Sequence, residues 1–467
     1  MAKKAYIGVD GVARKVKKGY IGIGKNVYGP ELLSTTGMPF MALANKYYAT
    51  HYHVDQDGGF ATLELDTLVS SPADIIGKWW PDGSVGSDSV ETMITSRIRT
   101  AVSYSGLIIH TEAYEITEQT VGIARKIRKA YVGVGGVARP CWSGGELVYY
   151  GTATALSVAR QHLAATSVGN YALFGGGETT NNSNVIDAYD ASLTRTNPTT
   201  LSAARTQPAG TAAGDYALFA GGYGSNYSSG VDAYDVSLTR TNPTALSAAR
   251  TQLAGTAAGD YALFAGGYNS RGFSAVVDAY DASLTRTNPT VLSTARCDLA
   301  ATSVGNYALF GGGQISSSSS SAVVDAYDTG LTRTTPTGLS TARYQLAATT
   351  VEDYALFAGG NASGGYSTVV DAYDASLTRT TPTALSEARY RPAATTVEGY
   401  ALFAGGFASG GYSTVVDAYD ASLTRTTPTA LGEARDQLAG TTVGNFALFA
   451  GGYTGSFSNR VDVYMVS

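Results

Sequence analysis

Residues 216–250 read YALFAGGYGSNYSSGVDAYDVSLTRTNPTALSAAR, and this stretch decides the fold. Three short runs, Tyr-Ala-Leu-Phe, Val-Asp-Ala-Tyr and Leu-Thr-Arg-Thr, are separated by Gly, Asn, Asp and Pro, the residues that punctuate strands. No 3.6-residue apolar period runs long enough here for a helix. The closing Ala-Arg pair recurs along the chain, with its arginine at Arg160, Arg205, Arg250, Arg296, Arg343, Arg389 and Arg435. Eleven residues after each arginine stands an aromatic: Tyr171, Tyr216, Tyr261, Tyr307, Tyr354, Tyr400 and Phe446. The chain therefore repeats one unit seven times at a spacing of 45 to 47 residues.

A Leu-Ala-Ala-Thr-type run after the arginine supplies a further strand, so each unit carries four. Four strands in a period of this length describe the blade of a β-propeller. The seventh unit stops at Val-Asp-Val-Tyr-Met-Val-Ser, 461–467, one strand short. An orphan strand, Glu-Leu-Val-Tyr-Tyr-Gly-Thr-Ala-Thr-Ala-Leu at 146–156, stands before the first unit where a fourth strand belongs. Pairing the two removes two open sheet edges. An open solenoid would not need complementary half-units at its ends. The expectation is an all-β, seven-bladed propeller over 146–467, closed by its N-terminal strand.

The pattern resembles the kelch family. That family places an arginine before the first strand, a Gly-Gly after the second, a Tyr-Asp pair in the third and a tryptophan in the fourth. Arg205, Gly221-Gly222 and Tyr234-Asp235 match in order, and the other units match likewise. The tryptophan is absent; Arg240 with flanking threonines occupies that strand. The resemblance implies the propeller architecture and carries no subfamily function.

Fixed intervals separate framework from variable surface. From the Asp of Asp-Ala-Tyr to the next arginine is always eighteen residues. All length variation lies between the glycine pair and that Asp, where nine to eleven residues intervene. In an up-and-down blade these second-to-third loops emerge on one face with the fourth-to-first connections. Their Tyr, Ser, Gly and Asn content suits recognition, combining rigid aromatic area with adaptable hydrogen bonding. Tyr223, Tyr227, Tyr268, Phe273, Tyr366, Tyr412, Tyr453 and Phe457 are the expected ligand contacts. Asp232, Asp235, Arg240 and Arg250 recur around the repeat and have two readings: a ring of charge lining a central channel, or inter-blade ion pairs and hydrogen bonds that fix blade spacing. Presence in every blade favours the architectural role.

Residues 1–145 form a second region, expected to be a small β-rich (α+β) domain. Lys4-Ala5-Tyr6-Ile7-Gly8-Val9, Lys18-Gly19-Tyr20-Ile21-Gly22-Ile23 and Lys129-Ala130-Tyr131-Val132-Gly133-Val134 are three copies of one strand-like element. Gly11-Val12-Ala13-Arg14-Lys15-Val16 and Gly122-Ile123-Ala124-Arg125-Lys126-Ile127 add a paired one. Between them lies an insert at 31–120. Ser71-Pro72 begins a predicted short helix ending near Trp79-Trp80. Asp88 with Glu91, a capping-box pair, precedes a second predicted helix to about residue 104.

Chemistry has little material. Of four histidines, His51, His53, His110 and His162, one falls in the repeats. Cys141 and Cys297 have no nearby histidine to suggest a nucleophile and make no disulfide framework. No Gly-x-x-x-x-Gly-Lys phosphate loop occurs. No cofactor is expected, and the protein is not expected to be an enzyme. A net charge of −5 gives no basic footprint for nucleic acid. No run of about 18 apolar residues predicts a membrane span, and the N-terminus lacks the apolar core of a signal peptide. His51-Tyr52-His53 on a strand would put both imidazoles on one face, a candidate metal site.

The Lys-Lys-Ala-Tyr-Ile-Gly-Val and Gly-Val-Ala-Arg-Pro segments, leading into a kelch-like array, resemble structural proteins of phages and prophages of Gram-positive bacteria. The resemblance implies a virion protein made in the host cytoplasm, docked to other virion proteins through residues 1–145. On phage spikes and fibres, His-x-His pairs from three chains share one metal, so a homo-oligomer, trimeric in that case, is expected. The propeller would then bind a cell-surface glycan or protein in the manner of a tail fibre. The alternatives are capsid decoration or a head fibre without a host ligand, and a cellular kelch module holding protein partners.

Overall fold

The structure, a computed structural model, describes residues 147–466 and the backbone of nine strands between Ala5 and Ser143. Chain contacts divide it between Glu146 and Leu147. In the N-terminal unit Ala5–Val9 pairs with Val12–Val16, Tyr20–Gly22 with Ala124–Lys126, and Lys129–Val134 with Val137–Ser143. Phe40–Leu43, Lys46–Val54 and Phe60–Val69 make one three-stranded sheet. The helices expected near 71–80 and 88–104 fall outside the described residues.

Residues 147–466 fold into repeated four-stranded antiparallel sheets in a propeller-like arrangement, with no helix among the described residues. Seven such sheets are present. In the second unit the strands are Ala209–Ala213, Tyr216–Ala220, Val231–Tyr234 and Arg240–Thr241. The fourth strand is shorter than the Leu-Thr-Arg-Thr run, because Leu238 turns with φ 61° and its amide bonds the Asp235 carbonyl. The last sheet joins both ends of the described chain. Leu147–Thr152 pairs antiparallel with Val461–Val466, as the orphan strand requires.

Each second strand alternates its burial between two neighbours. Ala217 and Phe219 pack with Leu173, Ile186 and Ala188 of the preceding sheet. Leu218 and Ala220 pack with Ala262, Phe264 and Tyr280 of the following one. The same core forms between the seventh sheet (Leu448, Ala450, Val463) and the first (Ala172, Phe174, Tyr189), so the series of cores returns to its start. A period-2 strand buried on both faces explains why Tyr-Ala-Leu-Phe-Ala has almost no polar position.

Close approach sets the small residues. The first strands neighbour one another in order around the series, the last against the first. A Cβ on Gly210 would stand 2.7 Å from the Ala165 carbonyl oxygen of the neighbouring strand. The glycine pair has a separate cause. Gly221 and Gly222 take φ of 66° and 102°, and the Gly222 amide donates to the Arg250 carbonyl of the next unit at 2.9 Å. A side chain at Gly221 would meet that same carbonyl at 2.7 Å. Only glycine gives both the left-handed turn and the approach.

Candidate ligand face

The recurrent charges come first, because they are the largest buried side chains. Every unit arginine pairs with the Asp of its own third strand: Arg160–Asp187, Arg205–Asp232, Arg250–Asp278, Arg296–Asp325, Arg343–Asp371, Arg389–Asp417 and Arg435–Asp462, at 2.6 to 2.8 Å. All fourteen residues are fully buried. The guanidinium also donates to a carbonyl of the second strand, as Arg205 does to Phe219 at 3.1 Å. The fourth-strand arginine reaches the other carboxylate oxygen from a half-exposed position, as Arg379 does to Asp371 at 3.0 Å. In the seventh sheet, where the fourth strand has no arginine, Arg460 and the Tyr149 hydroxyl take that place on Asp462, at 3.1 and 2.7 Å.

The channel reading of these charges needs correction, since the pairs are fully buried. The architectural reading stands in a changed form: the main chain of each arginine bonds the preceding unit, as Arg205 N does to Ser183 O at 3.0 Å, while its side chain pairs within the unit it enters. The pairs tie the connection entering a unit to that unit's own third strand: the arginine side chain reaches the carboxylate twenty-seven to twenty-nine residues downstream and not the one eighteen upstream. Asp235 has a different task, accepting from the Ser237 and Thr239 amides at the third-to-fourth turn, both at 2.9 Å.

The second-to-third loops and the fourth-to-first connections do share a face. Tyr223 bridges Thr206, the residue after Arg205, and also Tyr227 across its own loop. Tyr453 bridges Asp436 and Phe457 in the same way. The expected aromatics are brought together in two arcs. In the first, Tyr223 meets Tyr227 at 5.3 Å, Tyr227 meets Tyr268 at 6.3 Å, and Tyr268 meets Phe273 at 5.3 Å. In the second, Tyr412 meets Tyr453 at 5.9 Å and Tyr453 meets Phe457 at 5.7 Å. Two rings absent from the expected set complete this arc. Tyr390 stacks on Tyr366 at 4.7 Å, and Phe407 meets Tyr366, Tyr390 and Tyr412. The rings are half-buried, Tyr223 being the most open at 40%. Each edge-to-face pair adds about 0.5–1.5 kcal/mol beyond its burial, so the arcs are held in place before any ligand arrives. Glu178 and Gln314 stand where the arcs are interrupted.

Inside the arcs lies a pocket of about 240 Å³, lined by two consecutive residues from every unit. Seven equivalent contributions place it on the axis of the repeat. Its polar rim is His162, Gln207, Gln252, Asp298, Gln345, Arg391 and Gln437, each two residues after a unit arginine; Leu or Pro follows each one. All seven rim residues take φ of 50° to 56°. A non-glycine residue there costs roughly 1–2 kcal/mol, so side chains are retained where glycine would be easier. Main-chain bonds run between successive rim residues, for example Gln345 N to Asp298 O at 2.9 Å and Arg391 N to Gln345 O at 2.8 Å.

The rim is also where composition departs from the repeat. Asp298 Oδ2 accepts from Gln252 Nε2 at 3.2 Å and Gln345 Nε2 at 3.3 Å. Burial pushes its carboxyl up to about 6, against the pull of Arg391 and the Gln345 hydrogen bond. Burial, with Arg391 second, pushes His162 down to about 4. Its Nδ1 stands 3.5 Å from Glu178, which pulls the other way. Arg391 lies 3.7 Å from Asp436 and 5.0 Å from the Tyr390 ring centroid. The available sequence signal was substitution without change of length at this position and the one before it.

His51 and His53 lie on the strand Lys46–Val54, opposite Glu64 and Thr62; their side chains fall outside the described residues. Among the described residues no group of three or more His, Cys, Asp or Glu could hold a metal ion. Cys297 is buried, and its thiol is pushed up to about 12 by burial first, so it is not a poised nucleophile.

No protein-family model matches the chain, and no curated protein matches it. Among solved structures the chain is similar to one titled "Structure of YjhT", at 14% sequence identity and a TM-score of 0.47, covering 59% of this chain and 99% of that one.

Proposed function

We propose that this chain is a seven-bladed, kelch-type propeller displayed on a phage virion through residues 1–145, and that its loop face binds a cell-surface glycan. The observation that carries the adhesion reading is the pairing of a near-invariant frame with two arcs of half-exposed aromatic rings on the one face where loop length and sequence vary. Rings already held by one another present area at little entropic cost on binding. A single sugar-binding face is weak, and copies on a particle add avidity. The virion assignment is supported by the resemblance of the N-terminal segments.

Cell binding tests the proposal. The full chain is expected to bind host cells, and Tyr366→Ala with Tyr412→Ala to abolish that binding while the far-ultraviolet spectrum and melting transition stay in place. Retained binding by the double variant contradicts adhesion through the arcs. Deleting residues 1–145 is expected to remove the protein from particles; continued incorporation contradicts the docking role.

A further inference from the structure

We propose that the axial pocket binds one neutral, hydroxyl-rich small molecule of monosaccharide size, seated by the amides of Gln252, Gln345 and Gln437 and the carboxylate of Asp298. Size comes first. About 240 Å³ falls below the roughly 300–1,000 Å³ of cavities for drug-sized ligands, which leaves room for a single compact molecule. The chemistry of the rim follows. Four glutamines line the pocket, and an amide carries both donor and acceptor groups, the match for hydroxyls that do the same; Gln252 and Gln345 each spend one Nε2 hydrogen on Asp298 and keep the second. The rim's two opposite formal charges, Asp298 and Arg391, cancel, so nothing selects an ionic ligand. Below the rim, Leu and Pro from the seven units make an apolar floor suited to the C–H face of a sugar ring.

Unmet hydrogen bonding points the same way. Gln437 spends its Nε2 on Asp436, at 3.1 and 3.2 Å, and its buried Oε1 has no partner. Buried polar atoms are seldom left unpaired, and a hydroxyl in the pocket would satisfy this one. Backbone strain at all seven rim positions keeps these side chains at the axis. Resting on the adhesion reading, the inference places one sugar unit of the glycan in the axis and its continuation against the aromatic arcs.

The test is calorimetric titration of the full chain with glucose, galactose, mannose and N-acetylglucosamine, alongside saturation-transfer NMR. At least one is expected to bind. Gln252→Ala with Gln345→Ala should weaken it tenfold or more while the far-ultraviolet spectrum stays native, at some cost in melting temperature from the Asp298 carboxylate they leave unpaired. Gln437→Leu, in another sheet, should do the same and serves if the double variant fails to fold. No binding of any of the four, or affinity untouched by these variants, overturns the inference. Monosaccharide binding lost in Tyr366→Ala with Tyr412→Ala, but kept in the axial variants, overturns it and leaves adhesion standing. Axial binding of a monosaccharide by a chain that ignores host cells upholds it and overturns adhesion.

Discussion

Two residues apart in every unit, the chain does opposite things. At the unit arginine all seven copies are alike, fully buried and ion-paired. At the position two residues on, the copies read His162, Gln207, Gln252, Asp298, Gln345, Arg391 and Gln437, and their side chains meet around a pocket. The first position is constrained by one carboxylate in its own sheet. The second is constrained alike in every unit only in its backbone, which must turn left-handed to continue the main-chain links around the axis. The side chain is thereby left free to differ. A repeat can vary its centre without disturbing its frame because the arginine's ion pair and main-chain bonds do not involve the side chain two residues on.

The largest expected effect lies on the frame. Asp278→Ala leaves Arg250 buried without its carboxylate, and truncating one partner of a buried pair costs about 3–5 kcal/mol. Urea denaturation checks this, and a loss below 1 kcal/mol would show that Arg250 finds another anion or reaches water.

Smaller effects of opposite sign are expected at the axis. Asp298 has its folded value raised to about 6. Between the unfolded value and about pH 6 the folded state holds the proton that the unfolded state has lost, so its contribution is full at low pH and disappears as pH rises. His162 has its folded value lowered to about 4. Between about pH 4 and 6.5 the unfolded state holds the proton, so its contribution is full at neutral pH and disappears on acidification. Arg391 acts on both groups and Glu178 on His162. Relative to the native chain, Asp298→Asn should gain stability as pH rises from 4 to 6, and His162→Gln should gain it as pH falls from 6.5 to 4. Each slope is at most about 1.4 kcal/mol per pH unit. Slopes of the same sign in both variants would contradict the assignment.

Much of this was legible in the sequence, for physical reasons. Strand runs between Gly, Asn, Asp and Pro, repeated at 45 to 47 residues, with a spare strand at 146–156 before the first unit, leave few arrangements that bury both faces of every sheet. The loop aromatics were legible because length changes only there. The ion-pair partners were not, since Arg205 has Asp187 eighteen residues before it and Asp232 twenty-seven after, and sequence distance favours the wrong one. Tyr390 and Phe407 were missed for a related reason. Tyr390 belongs by sequence to the connection after Arg389, yet bridging main chain brings it beside the loop of its own unit and onto Tyr366. The axial rim was hidden because its residues are adjacent only across seven units, at intervals of 45 to 47 residues.

The division between frame and centre is tested most directly by melting two variants side by side, Arg250→Ala and Gln252→Ala. They alter the same connection two residues apart. The account predicts that Arg250→Ala loses several kcal/mol, while Gln252→Ala stays within about 0.5 kcal/mol of the native chain. Comparable losses in both would mean that the axial rim is part of the frame, and its variation would no longer mark a site.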